Sequence, residues 1–330
     1  MKAIVYQNDG SPDVIKLEDI EKPIAGDDEV LIKVRAASVN AFDAGLLKHP
    51  FMRRIVFAVS KLQRNLQSSR PGRDVAGQVE AVGSNVTQFK PGDAVFGWCG
   101  GAFAEYACTS QEKLVMKPDN ASFAEAAAVP VSGLTALQGL RDKAQIQRGQ
   151  KVLINGASGG VGTFAVQIAK SFGAHVTAVC SPRNVDLARS IGADRVIDYT
   201  REDFTKGGER YDVIFDIVAN HSFSARRGVL NPKGIYIGAG IVGLGDSMIR
   251  LLSHLIAELV LSRFVRQKFV TLMTKLNKED LTILRDLMAA GKLTPVIDRC
   301  YSLSETPVAI QYFLEGHARG KVVITLDHNT

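Results

Sequence analysis

Lys151-Val152-Leu153-Ile154-Asn155-Gly156-Ala157-Ser158-Gly159-Gly160-Val161-Gly162 runs an apolar stretch straight into a glycine-rich turn, and residues 164–172 follow with helical spacing. Strand, loop and helix in that order are what a bound pyrophosphate requires. Gly159 lets the backbone approach the anion, Gly162 lets the helix pack on the strand, and the helix start offers free N–H groups at its positive end. Gly156, Ala157, Ser158, Gly159, Gly160, Val161 and Gly162 are therefore the expected phosphate loop of a dinucleotide site. Ala157 stands where the G-x-G-x-x-G pattern has its first glycine, so an ordinary tight turn competes as the reading of the loop alone.

Moving outward, residues 175–179 read as a second strand, 184–191 as a helix, 195–198 as a third strand, 211–217 as a fourth and 234–239 as a fifth. A sixth, 268–273, precedes the amphipathic helix 278–290 and its stop at Gly291. Apolar strands spaced by helices predict an α/β fold with a doubly wound, six-stranded parallel sheet covered on both faces. A ligand then lies at the carboxyl ends of the strands, across the switch point.

Where the second strand ends, NAD-binding sheets place an acidic residue about 20 residues past the loop to accept the ribose 2′-hydroxyl. Here the chain reads Val179-Cys180-Ser181-Pro182-Arg183-Asn184, without a carboxylate. Cys180, Ser181 and Arg183 are expected at this end of the cofactor. Ser181 can donate to a 2′-phosphate and Arg183 can pair with it through its charged fork, which favours NADPH. A capped helix start, with Ser181 or Asn184 as N-cap and Arg183 in solvent, is the alternative for the same residues.

At 330 residues the chain exceeds one ordinary domain. Its 46% hydrophobic and 22% charged residues are globular composition and exclude a disordered chain. Cys99, Cys108, Cys180 and Cys300 show neither metal spacing nor a disulfide framework, the pattern of a reducing compartment. The start, Met1-Lys2-Ala3-Ile4-Val5-Tyr6, reads as a strand and lacks the apolar core of a signal peptide, so a cytoplasmic location is expected.

Residues 1–125 have another texture. Short strands at 2–6, 29–37, 75–82 and 94–96 are broken by the turns Gly26-Asp27-Asp28, Gly83-Ser84-Asn85 and Pro91-Gly92-Asp93. The tail returns to this style, with strands at 296–302 and 321–326 around a helix at 306–315. It is expected to close on the first domain, giving one domain of 1–125 with 292–330 and a dinucleotide domain of 126–291 inserted in it.

Two segments stand apart. From Lys48 to Arg73 there are seven Lys or Arg and no acid, more than the net charge of +6. A solvated insertion, attraction of an anionic cofactor and contact with an anionic surface are the open readings. Phe51 and Phe57 are its only aromatics, which argues against single-stranded nucleic acid as a partner. Residues 248–270 are rich in leucine and isoleucine but interrupted by Arg250, His254, Glu258, Arg263 and Arg266, unlike the about 20 uncharged residues of a spanning helix. Such an amphipathic stretch covers a substrate cleft, buries an oligomer face or lies on a lipid surface.

Lys2-Ala3-Ile4-Val5, Ala37-Ser38-Val39-Asn40-Ala41-Phe42-Asp43, Gly72-Arg73-Asp74-Val75-Ala76-Gly77, Pro91-Gly92-Asp93-Ala94-Val95-Phe96-Gly97, Gly133-Leu134-Thr135-Ala136 and the loop 156–162 together resemble the medium-chain dehydrogenase/reductase superfamily over nearly the whole chain. Within it the chain resembles the zinc-independent quinone oxidoreductase and enone reductase branch. The resemblance implies a Rossmann sheet beside a mainly β, GroES-like catalytic domain. It also implies no metal. Zinc alcohol dehydrogenases of the superfamily have a cysteine where this chain has Asn40 and a His-Glu pair where it has Arg73-Asp74, and zinc needs a tetrahedral set of thiolate, imidazole or carboxylate. Without a Lewis acid to stabilise an alkoxide, the feasible reaction is reduction of an acceptor activated by its own conjugation, a quinone or an α,β-unsaturated carbonyl compound.

The enolate so formed needs hydrogen-bond donors and then a proton. By resemblance the segment from Ser38 to Asp43 lines the cleft beside the nicotinamide, with Asn40 as the expected donor; stabilising a turn is its alternative role. Asp43 is expected there as a structural acceptor, because an unperturbed Asp is ionised near neutral pH. Some relatives carry a tyrosine proton donor shortly after. Ala44-Gly45-Leu46-Leu47-Lys48-His49-Pro50 has none, which leaves water, Lys48 or His49. Also by resemblance, Pro130 and Thr135 are expected at the nicotinamide and its phosphate, Tyr199 near the adenine ribose, and Gly238, Ala239 and Gly240 at the nicotinamide amide; each equally serves packing or a turn. The leading expectation is an NADPH-dependent reductase of lipophilic quinones or enones, working as a homodimer. A non-catalytic NADPH-binding sensor, structural or RNA-binding protein and an NADP-dependent alcohol dehydrogenase are the alternatives.

Overall fold

The computed structural model describes residues 1–6, 15–48, 70–239 and 265–326. They form two compact units, Met1–Ser132 with Leu276–Thr330, and Gly133–Lys275. The described strands are β1 (Lys2–Tyr6), β2 (Ile15–Asp19), β3 (Glu29–Ser38), β4 (Asp74–Val82), β5 (Ala94–Trp98), β6 (Tyr106–Ser110) and β7 (Leu114–Met116), then β8 (Lys151–Asn155), β9 (His175–Cys180), β10 (Arg195–Asp198), β11 (Tyr211–Asp216), β12 (Leu230–Gly238) and β13 (Lys268–Thr271), and finally β14 (Ile297–Ser302) and β15 (Lys321–Thr325).

In the second unit the six strands make one parallel sheet in the order β10-β9-β8-β11-β12-β13. The winding reverses between β8 and β11, the switch point of a doubly wound sheet. Val152, Leu153 and Ile154 are wholly buried, as a strand covered on both faces requires. The helix Gly160–Ser171 follows, with Phe164, Ala165, Ile168 and Ala169 buried. Gly162 is obligatory here, since a Cβ would lie 2.1 Å from the Gly156 carbonyl oxygen. The helix expected at 184–191 starts one residue later: Pro182 opens a 3-10 turn, Pro182–Asn184, and the α-helix is Val185–Ser190.

The first unit holds a seven-stranded sheet in the order β14-β15-β3-β4-β5-β7, with β6 also on β3, and a separate β1-β2 pair. Its core gathers Ile4, Ile32, Val34, Phe103, Leu114, Ile310 and Ile324, each aliphatic stabilising the fold by about 1.5–3 kcal/mol through burial. The tail enters this sheet because β15 pairs antiparallel with β3. The helix Lys278–Ala289 corrects the expected boundary at 291. It packs on β7, Asn120 Nδ2 donates to the Met288 carbonyl at 3.0 Å, and it belongs to the first unit. Its stripe of Leu281, Leu284 and Met288 is buried as the periodicity demands, but periodicity does not say which sheet receives the stripe.

Gly240, His49 and most of the basic and leucine-rich segments, 49–69 and 248–264, lie outside the described residues. At the edge of the basic segment the Arg73 guanidinium stacks 3.8 Å over the Phe42 ring. No helix among the described residues is long and apolar enough to cross a membrane.

Candidate functional site

At the carboxyl end of β8, Gly156 turns the chain at φ +87°, a conformation that costs little only without a side chain. The left-handed residue is thus Gly156, so Ala157 meets no penalty where the pattern has glycine. Both Gly156 and Ala157 donate their N–H to the Val179 carbonyl, at 3.2 and 3.1 Å, fastening the loop to β9. Gly159 is the N-cap of the helix and supplies no side-chain cap, which leaves first-turn N–H groups for an anion. A Cβ on Gly159 would meet only the Gly156 oxygen at 3.6 Å, so the space beside it is open.

The end of β9 faces the same loop. Cys180 is buried, and burial pushes its thiol up to about 11, an unreactive form. Ser181 and Asn184 both stand at N-cap positions, but neither makes a side-chain cap bond. Asn184 Nδ2 instead donates to Ser181 Oγ at 3.0 Å and to Ser158 Oγ at 2.8 Å, tying this turn to the phosphate loop. Asn184 Oδ1 is buried without a partner. Such an orphan costs about 1–3 kcal/mol and marks a place for a ligand group, an acceptor being served equally well if the amide turns over. Arg183 is exposed on the same turn. Asp198 lies opposite Cys180 in register, but its carboxylate accepts from Thr200 N at 2.9 Å and Thr200 Oγ1 at 2.8 Å. Tyr199 is 59% exposed beside it, held by its N–H on the Cys180 carbonyl at 3.2 Å. An uncapped helix start, open space at Gly159 and an orphaned amide between two serines fit the diphosphate and ribose of a dinucleotide.

The remaining predicted positions of this unit are structural in what they touch. Thr135 Oγ1 shares a hydrogen bond of 2.9 Å with Thr274 Oγ1. Gly238 ends β12, and Ala239 just beyond it donates its N–H to the Asp216 carbonyl at 2.8 Å. The fully buried Asp216 was not anticipated: its carboxylate accepts from Asn155 Nδ2 at 2.9 Å, Val218 N at 3.0 Å, Ala219 N at 2.8 Å and the Tyr236 hydroxyl at 3.0 Å. These four donors fix the carboxyl ends of β8, β11 and β12 at the switch point.

In the first unit Asn40 is brought into a closed, buried polar cluster. Its Nδ2 donates to Asp74 Oδ2 at 3.0 Å and to the Ser38 carbonyl at 3.3 Å, and its Oδ1 accepts from Lys321 Nζ at 2.7 Å. Lys321 Nζ also donates to Ser132 Oγ at 3.2 Å and lies 3.5 Å from Asp74 Oδ2. Asp74 further accepts from Ser38 Oγ at 2.8 Å and Val131 N at 3.1 Å. Asn40, expected as a donor to substrate, therefore has both amide protons committed inside the protein. Burial holds the Lys321 ammonium below its ordinary range, and the Asp74 charge opposes that shift. The buried Pro130 precedes Val131 at the helix start.

Asp43 is an acceptor, as expected, taking Asn40 N on Oδ2 and Gly72 N on Oδ1, both at 3.0 Å. Its ordinary ionisation is not what the structure gives: burial raises it from 3.8 to about 6, against the two N–H donors. Ser38 and Asp74 lie in the quoted family motifs but without the roles they take here, and the sequence does not single out Ser132 or Lys321. Only Asp74 carries a local signal, an acid entering the apolar strand run Val75-Ala76.

The chain matches the family described as alcohol dehydrogenase GroES-like domain over residues 26–119 and the one described as zinc-binding dehydrogenase over residues 191–324. It is 34% identical to a chloroplastic quinone oxidoreductase of Triphysaria versicolor, over 98% of both chains. It is 35% identical to the 2-methylene-furan-3-one reductase of Solanum lycopersicum, over 98% of this chain and 79% of the relative. The solved quinone oxidoreductase of Coxiella burnetii superposes with a TM-score of 0.82 at 32% identity, over 99% of each chain. With a parallel dinucleotide sheet, a GroES-like unit and these relatives, the chain belongs to the quinone oxidoreductase and enone reductase branch of the medium-chain dehydrogenase/reductase superfamily, oxidoreductases that bind a nicotinamide cofactor.

Proposed function

We propose that this oxidoreductase is a zinc-independent, NADPH-dependent reductase of quinones or α,β-unsaturated carbonyl compounds. The observation that carries the cofactor preference is the end of β9. The segment from Cys180 to Asn184 holds no acid and the Asp198 carboxylate is taken up by Thr200, while Ser181 and Asn184, its Oδ1 orphaned, are tied to Ser158, with Arg183 exposed on the same turn. A phosphate is recognised by such a set through charge-assisted hydrogen bonds, and a bare 2′-hydroxyl gains little from it. When bound, the reduced nicotinamide supplies a hydride to an electron-poor carbon.

The first unit supports the zinc-independent part. Where a metal branch needs ligands, this chain has Asn40 and an Asp74 already neutralised by Lys321. Among the described residues no three His, Cys, Asp or Glu side chains converge. The acceptor must then bring its own activation, which a conjugated carbonyl does and a simple aldehyde does not. The tomato and Triphysaria relatives are a 2-methylene-furan-3-one reductase and a quinone oxidoreductase, names of this kind. Pairing through the edge strand β13 of the dinucleotide sheet would give a homodimer, read by sedimentation.

The test follows NADPH absorbance with enones, quinones and saturated aldehydes, and titrates NADPH and NADH separately. Consumption with the conjugated acceptors alone is expected. Tight NADPH binding without consumption by any of them would leave a non-catalytic binder, and stoichiometric zinc in the purified protein would return the alcohol dehydrogenase alternative.

A further inference from the structure

We infer that Asp216 is a positioning residue for the dinucleotide, holding residues 217–220 as a preformed wall beside the phosphate loop; this rests on the nicotinamide cofactor and not on the preference for NADPH. The segment leaves β11 at the switch point, where ligands of doubly wound sheets lie. It leans on the phosphate loop. A Cβ placed on Gly156 would lie 2.9 Å from Val218 Cγ2 and 3.4 Å from Ile217 Cβ. Val218, Ala219 and Asn220 are exposed, and Ala219 holds φ +54°, the left-handed region that an alanine enters at a cost.

An exposed, strained turn of this kind persists only where the surrounding structure holds it. Here buried groups hold it from three sides. Asp216 Oδ1 accepts from Val218 N at 3.0 Å and Ala219 N at 2.8 Å, which sets the turn. The same oxygen accepts from Asn155 Nδ2 at 2.9 Å, and that amide also donates to Asn220 Oδ1 at 3.1 Å, so the end of β8 carries the far side of the segment. The Tyr236 hydroxyl donates to Asp216 Oδ2, its ring lies 4.4 Å from the Arg226 guanidinium, and Arg226 Nε donates to the Ser222 carbonyl at 3.3 Å just past the segment. Asp216, Tyr236 and Arg226 are all buried. A buried carboxylate and a buried arginine thus fix the shape of an exposed turn. A turn that only joined β11 to the next helix would need neither, since glycine at 219 adopts the same backbone freely. Stiffness where a ligand lies raises affinity, because less of the site must be ordered on binding. Val218, Ala219 and Asn220 are uncharged, so this wall serves NADPH and NADH alike.

In calorimetric titrations Asp216→Ala is expected to raise the dissociation constants of both cofactors together by about tenfold, since apparent affinity follows the fraction of molecules already in the binding shape. Asp216→Asn keeps the Oδ1 acceptor and should retain most of the affinity. Asp216→Ala/Ala219→Gly should regain part of it, because glycine takes the turn without the carboxylate. That rescue sets positioning apart from a general loss of stability. A second readout needs no cofactor: the Val218 and Ala219 amides should exchange hydrogen slowly in the wild type, exposed as the residues are, and quickly in Asp216→Ala. Where Asp216→Ala does not fold, Ala219→Val carries the test, because the position is exposed, valine disfavours the left-handed turn, and both constants should again rise together. Unchanged affinity for both cofactors in a folded Asp216→Ala or in Ala219→Val, or rapid exchange of the two amides in the wild type, would overturn the assignment. Wild-type protein that binds neither cofactor would refute it together with the cofactor reading. Wild-type protein that binds NADH as tightly as NADPH would refute the NADPH preference alone, because the loss in Asp216→Ala is read with either cofactor.

Discussion

The dinucleotide edge and the buried cluster at Asn40 are built on opposite plans. The first is made of near neighbours in the chain, residues 155–162 and 179–184, and leaves groups unspent: uncapped N–H groups at Gly159 and an orphaned Asn184 oxygen. The second draws Ser38, Asn40, Asp74, Ser132 and Lys321 from as much as 281 residues apart and closes on itself. A site that must accept and release a charged guest keeps its polar groups open, at a cost in stability. A cluster that must hold a shape satisfies them, and its cost falls due only when a member is removed.

The largest effect should come from breaking the closed cluster. Lys321→Met leaves the Asp74 carboxylate, which is wholly buried, without its cation, and losing one partner of a buried pair costs about 3–5 kcal/mol. Urea unfolding measures it, and adding Asp74→Asn should restore more than half. A loss below 1 kcal/mol for Lys321→Met would mean that water already reaches the pair. The comparable lesion in the open site is Gly162→Val, which drives a side chain into the Gly156 carbonyl. Overpacking against backbone should cost about 3 kcal/mol and abolish dinucleotide binding together with it, whereas Lys321→Met should leave the intrinsic NADPH affinity of the folded protein within a factor of about three.

The same contrast explains what could be read from the chain. The glycine loop, the five strands that follow β8 and the missing acid after β9 are local patterns, in which period and turn chemistry act within a few residues. The family motifs contain Ser38, Asn40, Asp43 and Asp74 but not the distant Ser132 and Lys321 that complete the cluster. Lys321 looks like a solvated lysine before a strand because nothing within ten residues tells that β15 will pair with β3 and bury it. Ser132 lies in an apolar helix start where serine is common. The helix Lys278–Ala289 shows the same limit: an amphipathic stripe specifies burial, and only tertiary contacts specify against what.

Asp43 gives the comparison a pH axis. Its carboxyl is raised from 3.8 to about 6 by burial, so between those values the folded protein binds a proton that the unfolded chain has lost. Stability contributed by this group is therefore highest below pH 4 and falls as pH rises to about 6, by roughly 3 kcal/mol at about 1.4 kcal/mol per tenfold change. Unfolding free energies of wild type minus Asp43→Asn, taken from pH 4 to pH 7, should show that decline, other groups cancelling in the difference. A flat difference would mean that the N–H groups of Asn40 and Gly72 already keep the carboxylate ionised.

The smallest effect sharpens the open site. Arg183 is exposed, so Arg183→Ala should change the Tm little, and its main consequence should appear when a phosphate is present. A charge-assisted hydrogen bond is worth about 1.5–3 kcal/mol, which predicts an NADPH dissociation constant raised roughly 10- to 100-fold. NADH lacks the 2′-phosphate, and its affinity should change by less than a factor of about three. Because the pair is exposed, salt must matter as well: raising ionic strength should weaken NADPH binding to wild type more steeply than to Arg183→Ala. Asn184→Ala separates two roles within the same turn. If the amide serves the phosphate, it too should affect NADPH more than NADH; if it only ties Ser181 to Ser158, both cofactors should weaken alike, since the phosphate loop itself would loosen. Equal losses for NADPH and NADH in Arg183→Ala would remove the phosphate from this end of β9, because a cation that does not distinguish the two cofactors does not touch the group in which they differ.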